Sequence, residues 1–171
     1  MMDVSRLAAT LHVFQDSVQL RPLLDHPERI EEVAGWIWEE WQHLIPHEDV
    51  SSFTEAFRER LRPSGIGATV VAFWDETLAG VASLLADDLP IRPELTPWLA
   101  EVYVPPRFRH RGIGRRLVLR IMEEARAIPV PRLYLYTPDR ETFYARMGWT
   151  LLERVSYAGR DQAVMQATFT P

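Results

Sequence analysis

Arg109-His110-Arg111-Gly112-Ile113-Gly114 is the stretch on which the reading of this chain turns. It follows an apolar run, Trp98-Leu99-Ala100-Glu101-Val102-Tyr103-Val104, and precedes a helical pattern that begins near Gly112. A strand, a glycine turn and a helix N-terminus in that order make an anion site. The N–H groups of a first helical turn have no intrahelical acceptor, and the helix dipole places partial positive charge on them. Glycines at 112 and 114 keep side chains away from the approach to those groups. Arg107, Arg109, Arg111, Arg115, Arg116 and Arg120 crowd the segment, and no acidic residue stands between Val102 and Met122. Cations at a helix start oppose the dipole. Several of them together point to a multiply charged anion, and a phosphorylated ligand is the economical choice. The pattern is not a GxGxxG dinucleotide fingerprint, because Leu117 takes the third glycine's place, and it lacks the GK[ST] ending of a Walker loop.

The chain has 171 residues, the size of one domain (residues 1–171) with a substantial core. Apolar content of 47% and charged content of 25% are those of a globular protein, and no apolar run approaches a membrane span. The first residues, Met1-Met2-Asp3-Val4-Ser5-Arg6, do not read as a secretory leader. Cysteine is absent, which removes disulfides, thiolate metal ligands and thiol nucleophiles and fits a cytoplasmic setting. The net charge of −5 argues against a general nucleic-acid binder. Every basic side chain is arginine, so no lysine is available as a Schiff-base former.

Residues 1–12 read as a tail or short helix and Val18–Leu23 as a first strand. Pro27 stands at a helix start, with Asp25 or His26 near the cap. Ile30, Val33, Ala34, Ile37, Trp38 and Trp41 follow at helical spacing, to an end near Leu44. Ser52-Phe53-Thr54-Glu55 predicts a capping box opening a second helix, through about Leu61. Ala68–Trp74 and Leu78–Leu85 form a hairpin about Asp75-Glu76, followed by a proline-bearing loop over 87–97. After the 98–104 strand, a helix over about 112–128 puts Ile113, Leu117, Val118, Ile121, Met122 and Ala125 on one face. A strand at 133–137 leads to a short helix from Pro138-Asp139 to Arg146, closed by Gly148. Two last strands, 149–157 and 163–169, flank the turn Ala158-Gly159-Arg160-Asp161. The order predicts an α/β or α+β domain with a mixed sheet.

The motif Arg109-x-x-Gly112-x-Gly114, its lead-in Val102-Tyr103-Val104-Pro105-Pro106-Arg107-Phe108 and the later Phe143-Tyr144-Ala145-Arg146-Met147-Gly148-Trp149 resemble the GNAT superfamily of acyl-CoA-dependent N-acetyltransferases. The close resemblance spans roughly residues 98–157. It implies a single domain with a mixed, mostly antiparallel sheet flanked by helices, its central strands splayed. It also implies acetyl-CoA as co-substrate, an amine acceptor attacking directly in a ternary complex, and no metal. A homodimer is compatible with it.

The resemblance places the donor's pyrophosphate on the N–H groups of Arg109, His110, Arg111, Gly112, Ile113 and Gly114, with Arg109, Arg111 and Arg115 adding charge. It runs the pantetheine arm along Val102, Tyr103 and Val104, and adds Thr137 and Phe143 to the donor site. Tyr144 becomes the general acid toward the departing sulfur. Glu101, on the central strand near the thioester, is the expected base, with Asp87, Asp88, His43, His47 and Glu48 as other candidates. Strict alternation puts Glu101 and Tyr103 opposite Val102 and Val104, an assignment that a bulge would change. His43 and His47 are four apart, but Pro46 breaks the helix a metal pair would need. Acceptor recognition is expected in the 42–51 and 87–97 segments, where Trp38, Trp41 and Trp98 offer aromatic walls and Asp87, Asp88 and Glu94 suit a cation. The rival readings are a non-catalytic acyl-CoA-binding domain and a nucleic-acid binder using the arginine helix.

Overall fold

The computed structural model describes residues 18–44, 48–61 and 66–169. Its strands are β1 (Val18–Pro22), β2 (Gly67–Trp74), β3 (Thr77–Leu85), β4 (Trp98–Tyr103), β5 (Arg132–Thr137), β6 (Thr150–Tyr157) and β7 (Arg160–Thr168). Its α-helices are α1 (Ile30–Trp41), α2 (Val50–Arg60), α3 (Ile113–Arg126) and α4 (Glu141–Ala145). The strands form one seven-stranded sheet in the order β1-β2-β3-β4-β5-β7-β6. Every neighbouring pair is antiparallel except β4 and β5. The expected 1–12 segment lies outside the described residues.

Both faces of the central strands are covered, which is why β2 and β3 read as unbroken apolar runs rather than alternating ones. Val70 and Ala72 face the α3 side, where Ile113, Leu117, Val118, Ile121, Met122 and Ala125 are all buried, as their spacing predicts. Val71, Phe73, Leu78 and Val81 face α1 and α2, packing with Ile30, Val33, Ala34, Ile37 and Phe57. Leu89, Trp98, Tyr134 and Val164 form a smaller third cluster beside β5 and β7. Gly80 lets α3 approach the sheet closely. A Cβ there would lie 2.9 Å from Leu117 Cδ1, 3.1 Å from the Tyr103 carbonyl oxygen and 3.2 Å from Ile113 Cγ2.

Several local expectations need correction. α2 starts at Val50, because Asp49 accepts hydrogen bonds from the N–H groups of Ser51 (2.9 Å) and Ser52 (3.2 Å). An aspartate three residues upstream of Ser52 supplies the cap, so the Ser52 box does not open the helix. Pro27 opens a 3-10 turn, Pro27–Arg29, and α1 follows it with no side-chain cap. The last hairpin turns on two residues, Ala158 (φ 50°) and Gly159 (φ 73°), so Arg160 and Asp161 belong to β7. Left-handed conformations at both positions suit a two-residue hairpin, as they do at Asp75 (φ 45°) and Glu76 (φ 62°). α4 is shorter than predicted, with Arg140 at its cap.

Candidate active site

β4 and β5 share a single register pair, Trp98 with Tyr134, and then part. β4 also carries a bulge. Val81 faces Tyr103 and Ser83 faces Ala100, so β4 spends one residue more than β3 across this interval, and Glu101 takes up the strain at φ 56°. Past the bulge, Val102 and Val104 pack toward α3, while Tyr103 packs toward α1 between Trp36 (5.6 Å) and Trp41 (6.4 Å). Glu101 reaches Arg60 of α2. The bulge therefore leaves Glu101 and Tyr103 on the face opposite Val102 and Val104.

On the α3 side, Gly112 caps the helix in the left-handed conformation (φ 77°), without a side-chain cap bond. No atom stands within 4 Å of where a Gly112 Cβ would be. Ile113 turns its side chain into the core, so it offers only its main chain. A Cβ on Gly114 would lie 3.7 Å from Phe143 and 3.8 Å from Val104, so the turn, the end of β4 and α4 meet there. His110 (φ 61°) and Arg115 are exposed. Arg109 donates from Nε to the Val104 carbonyl (2.9 Å), and the Arg111 guanidinium lies 4.6 Å over the Trp74 ring. Thr137 is buried, and its hydroxyl accepts from the Arg140 N–H (3.0 Å) ahead of α4. Tyr144 lies edge-on to Phe143 (5.1 Å) and Trp149 (6.1 Å). Burial pushes its phenol up to about 12, against a smaller downward pull from Arg140 and with Asp139 adding to the rise. Tyr144 thus keeps its proton at any ordinary pH.

The α1/α2 side of the same gap holds the carboxylates. Arg60 donates from both terminal nitrogens to Glu101, at 2.6 and 2.9 Å, with side chains only 19% and 10% exposed. Arg60 also approaches Ser83 Oγ (3.5 Å), which is hydrogen-bonded to Thr69 (3.0 Å). Asp88 faces this pair. Burial raises its carboxyl to about 7; the Glu101 charge adds to the rise and Arg60 opposes it. Tyr136, on β5, is pushed far up by burial and then by the Asp88 and Tyr157 charges. Its ring stands edge-on to Trp98 and to Tyr157, both at 6.0 Å. The loop carrying Asp88 is fastened to β6, because Arg92 grips Glu153 at 2.6 and 2.8 Å and holds that carboxyl below the usual range.

Of the other candidates, Asp87, Glu48 and His43 are exposed, and His47 lies outside the described residues. Among the described residues no group of three or more His, Cys, Asp or Glu side chains is placed to hold a metal, and no helix is long and apolar enough to cross a membrane. Trp98 is fully buried and Trp41 stacks beside Tyr103, so neither stands as a free wall. Arg60 and Tyr136 were not singled out from sequence. The Arg60–Glu101 contact spans 41 positions, and no local pattern announces it.

The family model described as the acetyltransferase (GNAT) family matches residues 30–149. An acetyltransferase of the GNAT family from Streptococcus pneumoniae shares the fold, with a TM-score of 0.68 at 17% identity over 90% of this chain and 99% of that one. The paia N-acetyltransferase of Thermoplasma acidophilum, solved in complex with coenzyme A, gives 0.63 at 20% identity over 89% and 99%. The yncA protein of Salmonella typhimurium, solved with its cofactor acetyl-CoA, gives 0.65 at 17% identity over 90% and 94%. No curated protein matches in sequence.

Proposed function

The chain belongs to the GNAT acetyltransferase family, and on that premise we propose that it transfers an acetyl group from acetyl-CoA to a primary amine of a small molecule or protein, by direct attack in a ternary complex. The observation that carries this reading is the gap where β4 and β5 part, with the glycine turn of α3 on one side and the carboxylates on the other. The residues fit the donor. The first-turn N–H groups of α3 are free of helical acceptors, Gly112 leaves open space before them, and arginines supply the countercharge. The main chain of Val102 and Val104, unpaired with β5, can accept the pantetheine arm as an added strand. A β4 N–H serves the oxyanion. The bound thioester supplies the acetyl group and a thiolate leaving group.

Tyr144 acts at that sulfur. A thiol has a pKa near 8.5 and this phenol stands at about 12. Outright proton transfer to the thiolate is therefore uphill by roughly 3.5 units, about 5 kcal/mol. The hydroxyl instead donates a hydrogen bond that strengthens as the C–S bond breaks, and the proton arrives from elsewhere. A carboxylate on the α1/α2 side receives the amine's proton. With no cysteine in the chain, no thiol acyl-enzyme forms, and a cytoplasmic setting fits.

Acetyl-CoA and CoA are expected to raise the melting temperature while ATP and NAD do so weakly, since a ligand of the native state must stabilise it. Free thiol should then appear with members of an amine panel. No stabilisation by acetyl-CoA overturns the reading. Stabilisation with no thiol release from any amine leaves an acyl-CoA-binding domain without catalysis.

A further inference from the structure

Glu101 and Asp88 both border the gap, and the structure treats them differently. Each Glu101 oxygen already accepts a charge-assisted bond from Arg60, at 2.6 and 2.9 Å, in a largely buried pair. A carboxylate gripped in this way is a poor receiver for another group's proton. Asp88 has no hydrogen-bond or ion-pair partner within its range among the described residues, yet it feels Glu101 on β4, Arg60 on α2 and Tyr136 on β5. Glu101 and Tyr136 lie on the two strands beyond their last pairing, and Leu89, next to Asp88 in the chain, packs with Trp98, Tyr134 and Tyr136, which puts Asp88 at the mouth of the gap. Tyr136 and Tyr157, both half-buried, stand ring to ring beside the buried Trp98 on this side of the gap. A second acceptor waits on the same stretch of sheet. Gln162, 2% exposed, keeps its side-chain oxygen without a partner, and it sits one diagonal step from Tyr136 across the β5–β7 ladder. Unpaired acceptors beside aromatic faces suit a ligand rich in N–H donors.

We infer that Asp88 takes the proton from the attacking amine, and that the Arg60–Glu101 ion pair is the positioning partner that holds the charge around it. This rests on the acetyltransferase reading above. The amine nitrogen forms its bond to the thioester carbonyl carbon, and the carbonyl electron pair moves to oxygen. Asp88 accepts the N–H proton. The oxygen pair then returns, the C–S bond breaks, and the thiolate leaves on its hydrogen bond from Tyr144. The proton on Asp88 passes to solvent or to the thiolate, which restores the site. Burial, the Glu101 charge and the opposing Arg60 set the Asp88 titration near neutrality, where a base serves best.

The test follows kcat/KM for one acceptor amine across pH in wild type, Asp88→Asn, Glu101→Gln and Arg60→Gln; the amine's own ionisation is common to all four. Asp88→Asn should lose the acidic limb and roughly 100- to 10,000-fold in rate, with stabilisation by acetyl-CoA retained. Glu101→Gln removes a like charge and should move the limb to lower pH. Arg60→Gln removes the opposing cation and should move it to higher pH. If Glu101 is the base, the pattern inverts: Glu101→Gln abolishes the limb and Asp88→Asn only shifts it. A carbon-13 titration of aspartate carboxyls, assigned by the signal missing in Asp88→Asn, decides the same point without turnover. An Asp88 carboxyl that titrates in the ordinary aspartate range overturns the assignment even if Arg60→Gln does not fold. Failure of acetyl-CoA to stabilise wild type instead overturns the acetyltransferase reading.

Discussion

The half-buried Asp88 carboxyl, raised to about 7 in the folded chain, must also leave a mark on stability. Unfolded aspartate titrates near 3.9. Between these values the folded state binds more protons than the unfolded one, so Asp88 makes stability fall as pH rises from about 4 to about 7. Roughly three units at about 1.4 kcal/mol each set an upper bound near 4 kcal/mol on that loss. Asp88→Asn removes the charge and should therefore be more stable than wild type at pH 8, with the gap narrowing toward pH 5, in denaturant melts at the two pH values. A gap of the same size at both would mean that Asp88 titrates normally. Tyr144→Phe tests the other end. The hydroxyl has no hydrogen-bond partner among the described residues, so its removal should cost under about 1 kcal/mol. Turnover should nevertheless fall by roughly 100-fold or more, with acetyl-CoA affinity kept. Because the phenol stands at about 12, wild-type turnover should show no alkaline loss from this group up to about pH 10. A Tyr144→Phe enzyme as fast as wild type removes the hydroxyl from the mechanism.

At the scale of elements, the α3 turn depends on one backbone conformation. Gly112 sits at φ 77°, where an L side chain costs about 1–2 kcal/mol. Gly112→Val is therefore strained as well as obstructive. Gly112→Asn is the cleaner probe, since asparagine visits this region more readily. It should keep most of the stability and lose most of the acetyl-CoA-induced rise in melting temperature. A full rise in a folded Asn variant takes the turn out of the donor site. Gly80→Ala should cost about 1–3 kcal/mol by crowding Leu117, Ile113 and the Tyr103 carbonyl, measured as a lower denaturant midpoint. Local features such as these were the legible ones. The apolar face of α3, the Asp75-Glu76 hairpin and the glycine turn are written in neighbouring residues, and all of them fold as read. Contacts made across the sheet were not. Nothing near Glu101 in sequence marks Arg60, and nothing near Asp88 marks Tyr136, because the charge around each carboxyl is set by strands and helices brought together from far apart. The α2 cap was missed for a simpler reason: two candidates three positions apart, Asp49 and Ser52, compete, and the aspartate wins.

The molecule as a whole is charged asymmetrically about the gap. It carries a net −5, yet Arg107, Arg109, Arg111 and Arg115 stand exposed around the α3 turn. Exposed acids collect elsewhere, at Glu39 and Glu40 on the end of α1, at Glu48 and Asp49 before α2, and at Asp87 and Glu94 in the loop that carries Asp88. Tyr103 sits between the two fields: burial raises its phenol most, Glu40 and Glu39 add to the rise, and Arg109 pulls it down. On the proposed function, a polyanionic donor would be drawn to the first region and an ammonium acceptor to the second, and the two substrates are expected to approach from opposite faces of the sheet. Salt weakens both attractions, as the screening length shrinks from about 10 Å at 0.1 M to about 3 Å at 1 M. KM for acetyl-CoA should rise steeply with salt, because several charges act together. KM for a simple cationic amine should rise less. An amine that also bears a carboxylate should bind poorly at low salt and improve as salt is added, because the acids around Asp87 repel it. If the carboxylated amine instead weakens with salt as the plain one does, the acceptor does not enter past these acids, and the search for its path moves to the α3 face.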